Sequence, residues 1–192
     1  MLTNEQKLAY YRKKELIKQV VLDRLRKSGN LLTGGRAVNR QISKELQKAT
    51  IDYDILVRKN KMTPKQAAYL LEKKLDKRFG GNYFETKQGI YPGVRKVMSR
   101  ITGEEVADYV KPTKMPTFKR DIDGVNVVTL NYLKKKFRES LADPSSEWRH
   151  TKDKEALQRI KLHEQTYMNK FKWKTLPKIK VKNNRKGGKY KW

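Results

Sequence analysis

The sequence predicts an α+β protein: a small mixed sheet with flanking helices, followed by C-terminal helices and a basic tail. Three observations lead there. Segments of helical period alternate with strand-like segments through residues 4–128. A hairpin signal, Thr102-Gly103 between two β-rich arms, sits in the middle of that stretch. From Thr129 onward helical period takes over, until the chain turns into a lysine-rich stretch without period.

Each element has a local reason. In residues 4–27, Leu8, Tyr11, Leu16 and Val20, and the row Ile17, Val21 and Leu25, recur at three- and four-residue spacing. Asn4 suits the N-cap and Gly29 the stop. Residues 30–33 read as a first strand, 37–47 as a short helix and 50–58 as a second strand. Thr63-Pro64 opens the next helix, with Thr63 as N-cap and Pro64 in the first turn; it runs to about Arg78 and stops at Gly80-Gly81. Residues 94–101 and 105–110 are the hairpin arms. Asp123-Gly124 is a second turn signal, ahead of a strand at 125–128. Residues 129–141 and 152–170 read as helices, with Asp143-Pro144-Ser145-Ser146 as the loop between them. The expected organisation is an N-terminal helix (1–29), a core (30–128), a helical segment (129–170) and a basic tail (171–192).

Charge narrows the partners. The 192 residues carry 47 Lys and Arg against 20 Asp and Glu, a formal net charge of +27. Self-repulsion on this scale favours a polyanionic partner, nucleic acid first. The absence of cysteine excludes disulfides and cysteine-based zinc sites. No apolar run approaches membrane-spanning length, and the N-terminus lacks the apolar core of a secretory signal. The expectation is a protein of the cytoplasm or of a nucleic-acid-containing particle such as a virion, with no membrane partner.

Two short segments carry the chemistry. Leu31-Leu32-Thr33-Gly34-Gly35-Arg36-Ala37-Val38 reads as a strand, a Gly-Gly turn and a helix. Such a turn offers bare backbone N–H groups to a phosphate. Thr50-Ile51-Asp52-Tyr53-Asp54-Ile55 reads as a strand with two acids on one face. Paired carboxylates repel unless a cation or proton sits between them. A two-metal site needs a third acid. Asp108, on the second hairpin arm, is the best candidate. Glu104 and Glu105 are expected to be solvated turn residues, and Asp121 and Asp123 are weaker alternatives. His150 and His163 lack a second ligand at metal spacing, so no zinc is assigned. Trp148, Tyr167 and Phe171 are expected to pack inside.

The ordered set resembles the nucleotidyltransferase superfamily with the polymerase β fold, over roughly residues 28–163. It is most similar to the small abortive-infection and toxin–antitoxin branch. The residues carrying the resemblance are Gly34-Gly35, Asp52-x-Asp54, the single Asp108, the segment from Asp123 through Leu133, Lys136 and Lys152-Asp153. By that likeness Gly34 and Gly35 bind the triphosphate; Arg36, directly after the glycines, departs from the family pattern and adds nucleotide-binding charge near the phosphates. Asp52, Asp54 and Asp108 would be catalytic and hold Mg2+ or Mn2+. Lys136 would contact nucleotide phosphate, with Asp153 positioning it or the base. The implied activity moves a nucleoside monophosphate from an NTP to an RNA 3′ end or a protein hydroxyl.

The charge supports an alternative: a catalytically retired fold serving as a basic nucleic-acid-binding component of a virus particle or ribonucleoprotein, and so part of a larger assembly. Lys172, Lys174, Lys178, Lys180, Lys182, Arg185 and Lys186 form the tail's expected nucleic-acid contact, RNA favoured. Trp173, Tyr190 and Trp192 interleave with them as stacking groups.

Overall fold

A computed structural model describes residues 4–58 and 62–174. In chain order the elements are α1 (Asn4–Ser28), β1 (Leu31–Leu32), α2 (Gly34–Asn39), β2 (Tyr53–Leu56), α3 (Pro64–Phe79), β3 (Phe84–Gln88), β4 (Arg95–Ser99), β5 (Glu105–Val110), β6 (Phe118–Arg120), β7 (Asn126–Val128), α4 (Leu130–Ala142) and α5 (His150–Lys174). Short 3-10 segments cover Lys44–Leu46 and Pro144–Arg149. The strands form one mixed sheet in the order β3-β4-β5-β2-β1-β7-β6. The α+β expectation holds, with helices on a mixed sheet and helices after it.

Local chemistry explains the best-defined helix. The Thr63 side chain accepts from Gln66 N at 3.2 Å, and Gln66 Oε1 accepts from Thr63 N at 2.8 Å. This reciprocal cap satisfies two donors that a helix start leaves open. Gly80 ends the helix in the left-handed region, at φ 75°. Between its ends, Ala67, Ala68, Leu71 and Leu75 are buried. They join one core with Val20, Val21 and Leu25 of α1 and with Ile55, Val97, Ala107 and Tyr109 of the central strands. Burial of this apolar set is what holds α1 and α3 to the sheet.

Several expectations need correction. The helix expected at 37–47 begins at Gly34 and ends at Asn39. Asn39 turns to the connection instead, donating to Lys48 O at 2.6 Å and accepting from Lys48 N at 3.2 Å. The loop expected at 143–146 is the start of the 3-10 segment, capped by Asp143. Residues 171–174, expected in an aperiodic tail, continue α5. Trp148 and Tyr167, expected inside, are 66% and 54% exposed. Strands β3 and β6 were not expected. Both are sheet edges, and β6 is exposed along its length. Edge strands need little apolar alternation, so their sequence signal is weak.

Candidate active site

Strand β2 is the hub. It pairs antiparallel with β1 and parallel with β5, and the parallel register places Asp54 opposite Asp108. Distant parts of the chain thus bring two carboxylates side by side on adjacent strands. Asp52 lies just before β2 and acts electrostatically on Asp54.

The glycine turn closes against this pair. Thr33 N donates to Asp54 O at 2.9 Å, tying the turn to β2. Gly34 has φ +65°, and a β-carbon built there would overlap Asp54 Oδ2 and come within 2.7 Å of its Cγ. Only glycine gives both that backbone conformation and room for the carboxylate. Gly35 is close to the segment leading into β2: a β-carbon there would lie 2.8 Å from Thr50 Cγ2. Arg36 is spent on backbone. Its Nε donates to Asp52 O at 2.7 Å and its Nη2 to Thr50 O at 2.9 Å and Ile51 O at 3.1 Å, while its guanidinium stacks 3.8 Å from the Tyr53 ring centre. Arg36 therefore clamps the chain leading into the acids.

A fourth carboxylate joins them. Lys96 of β4 faces Asp108, Val97 faces Ala107 and Met98 faces Glu105, with a register shift that leaves Val106 as an extra residue. The bulge breaks the two-residue alternation. Glu105 thereby comes to the Asp108 side, and both acids meet the Lys96 ammonium: an ion pair to Glu105, and 3.7 Å to Asp108. Glu105 is a partly buried strand residue, not the solvated turn residue expected. The adjacent apolar residues Val106-Ala107 do not mark the bulge in the sequence, because Leu31-Leu32 and Ile55-Leu56 are likewise adjacent and buried in strands of regular register.

The electrostatics follow from the crowding. Burial, reinforced by the charge of Asp52, pushes Asp54 up to about 6, with Arg149 and Arg36 opposing. Burial, the adjacent Glu105 carboxyl and Asp54 push Asp108 up to about 8, with Lys96 opposing. Asp108 Oδ1 and Glu105 Oε1 are buried with no hydrogen-bond partner. Carboxylates with unused buried oxygens are the donor type that magnesium and manganese prefer, so the residues fit a hard divalent cation. Among the described residues, no three His, Asp or Glu side chains are already gathered at metal-binding spacing.

The remaining candidates are more scattered. Asp153 is buried and accepts from Arg149 Nε at 2.9 Å and Nη2 at 3.2 Å. Arg149, absent from the sequence-based candidates, is the foremost of the two cations that favour the ionised form of Asp54 and so lower its pKa. Lys136 pairs with Glu139 of its own helix at 3.0 Å, and the groups acting on it lie on α4 rather than among the acids. Asp121 and Asp123 both bind Arg40, and Asp121 also accepts from the backbone of its own turn. Lys172 and Lys174 belong to α5. Lys178, Lys180, Lys182, Arg185, Lys186, Tyr190 and Trp192 lie outside the described residues. A cleft of about 600 Å³ opens on the Tyr53 side of β2, bordered by Tyr83, Phe84 and Val106. Strand alternation puts that side opposite Asp54.

No family model matches the chain, and no curated protein does. Among solved structures, the crystal structure of the Megavirus polyadenylate synthase is similar to it. The TM-score is 0.65 at 16% identity, over 80% of this chain and 32% of that one. The likeness is one of fold: the chain has a nucleotidyltransferase-like fold and spans about a third of the viral protein's length. It does not single out the abortive-infection branch. Among the described residues, no helix is long and apolar enough to cross a membrane.

Proposed function

We propose that this chain moves a nucleoside monophosphate from a nucleoside triphosphate to a hydroxyl, releasing pyrophosphate. The observation that carries the reading is Asp54 beside Asp108 on adjacent parallel strands, with the glycine turn closed against Asp54. Gly34 and Gly35 present the turn's backbone to the phosphates. Asp52, Asp54 and Asp108 would hold Mg2+ or Mn2+, which supplies charge neutralisation at the phosphates when bound. The unpartnered Asp108 Oδ1 takes the proton of the attacking hydroxyl. Arg149, oriented by the buried Asp153, faces the polyphosphate, a role its two-pronged anchorage suits better than the exposed Lys136. Arg36 acts indirectly, by fixing residues 50–52. Positioning and electrostatics carry the rate.

An RNA 3′ end is the favoured acceptor. The net charge of +27 suits a polyanion, and the structural neighbour is named for polyadenylate synthesis. The test offers the protein each α-labelled NTP with Mg2+ or Mn2+ and total RNA, beside Asp52→Ala and Asp108→Ala. Label transfer lost in both variants supports the reading. Absence of transfer and of any NTP-induced thermal shift, with salt-dependent nucleic-acid binding intact, refutes it and favours the second reading. That reading, a retired fold acting as a basic nucleic-acid-binding component of a particle, rests on the charge excess alone.

A further inference from the structure

Lys96 stands where the proposed cation chemistry would least tolerate a fixed positive charge. It projects from β4 directly across from Asp108, and its ammonium lies 3.7 Å from Asp108 Oδ2 while also pairing with Glu105. Its side chain is about three-quarters buried, as are those of its two partners. Charges in such a setting are screened far less than surface charges. Lys96 also feels Asp52, so the ammonium sits in the field of three of the acids, Glu105, Asp108 and Asp52. The bulge at Val106 is what supplies the second carboxylate. With regular alternation Glu105 would point away, and Asp108 would be the lysine's sole partner on this strand.

We infer that Lys96 is a built-in counter-cation that competes with a divalent cation for Asp108, and that Glu105 is the residue that holds the lysine aside when Asp108 is engaged. The inference rests on the proposed role of Asp108 in cation binding. Without a divalent cation, the ammonium is shared between the two carboxylates and offsets their repulsion. With one bound near Asp108, like-charge repulsion drives the ammonium wholly onto Glu105, a shift of a flexible side chain that already touches both acids. Asp108 Oδ1, buried and unpartnered, is the oxygen the lysine leaves free. Glu105 thus acts as a positioning residue for the lysine, and the pair sets how tightly the site takes its cation.

The experiment measures Mn2+ binding to the full chain by titration calorimetry, without nucleotide, in wild type, Lys96→Gln, Glu105→Gln and the double variant. Thermal melts in EDTA run alongside. Lys96→Gln removes the competitor, so Mn2+ affinity should rise roughly tenfold while the metal-free protein loses stability. Glu105→Gln removes the holding partner, so affinity should fall by a similar factor. The double variant should bind at least as well as wild type, because no lysine remains to be held. Lys96→Arg, which keeps the charge, should stay near wild type. Mn2+ affinity unchanged or weakened in Lys96→Gln overturns the inference. So does a double variant as weak as Glu105→Gln, which would make Glu105 an ordinary cation ligand. If Lys96→Gln tightens binding but no variant transfers label, the counter-cation stands and the enzymatic reading falls.

Discussion

Replacing Gly34 with alanine tests whether the glycine turn and Asp54 form one unit. Gly34 has φ +65°, a conformation that costs an ordinary L-residue about 1–2 kcal/mol. Gly103 has nearly the same φ, +67°, with open space around the missing β-carbon. Gly103→Ala should therefore cost about 1 kcal/mol, the backbone penalty alone. At Gly34 the added carbon also meets the Asp54 carboxylate, and the turn cannot simply withdraw because Thr33 N is bonded to Asp54 O. Relief requires Asp54 to leave its rotamer, for roughly 1 kcal/mol more, or the β1–β2 register to loosen. The expected total is about 3 kcal/mol, read as a lower urea midpoint at unchanged m-value. In the double variant Gly34→Ala/Asp54→Ala the overlap is gone, and the two losses should fall short of additive by about 1–2 kcal/mol. The reasoning fails if Gly34→Ala costs no more than Gly103→Ala, or if the double-variant cycle is additive.

Asp108→Asn should stabilise the metal-free protein in a pH-dependent way. The folded carboxyl is raised from its ordinary value to about 8, so its contribution to stability is full below about pH 4 and is lost as pH rises through 8; the variant's gain should grow across that window to about 2 kcal/mol in urea melts. A constant gain from pH 4 to 8 contradicts this. Asp153→Asn should free Arg149 and cost about 2 kcal/mol, and should raise the KM for NTP more than it lowers kcat. Lys136→Ala, breaking an exposed pair, should shift stability by less than about 0.5 kcal/mol and leave the KM unchanged; a large KM rise would return the phosphate contact to Lys136. Removing residues 175–192 should lower RNA affinity and flatten its salt dependence while turnover on free nucleotide persists.

Much of the fold was legible because its signals are local. Thr63-Pro64 with Gln66, and Gly80 at the far end, specify α3 within a few bonds of each residue. Asp-x-Asp and Gly-Gly are equally short-range patterns. The errors have a common source. Asn39 ends α2 by bonding to Lys48, Trp148 sits outside although it is aromatic, and β6 exists only because β7 is there to pair with it. Each depends on a bonding partner or a packing environment outside the residue's own turn or strand.

The candidate site divides along the same line. By itself the sequence determined which residues carry acid, where a left-handed turn must form and how large the excess of positive charge is, because dihedral preference, strand period and net charge are properties of short segments or of simple sums. Only the tertiary structure decided that Asp54 lies beside Asp108, that a bulge turns Glu105 towards Lys96, that Arg36 is consumed by backbone carbonyls and that Asp153 orients Arg149. The first three need a partner from another segment, and burial of the shared core selects the register that brings the two together; Arg149 and Asp153 are only four residues apart, and what tertiary structure adds is their place near Asp54.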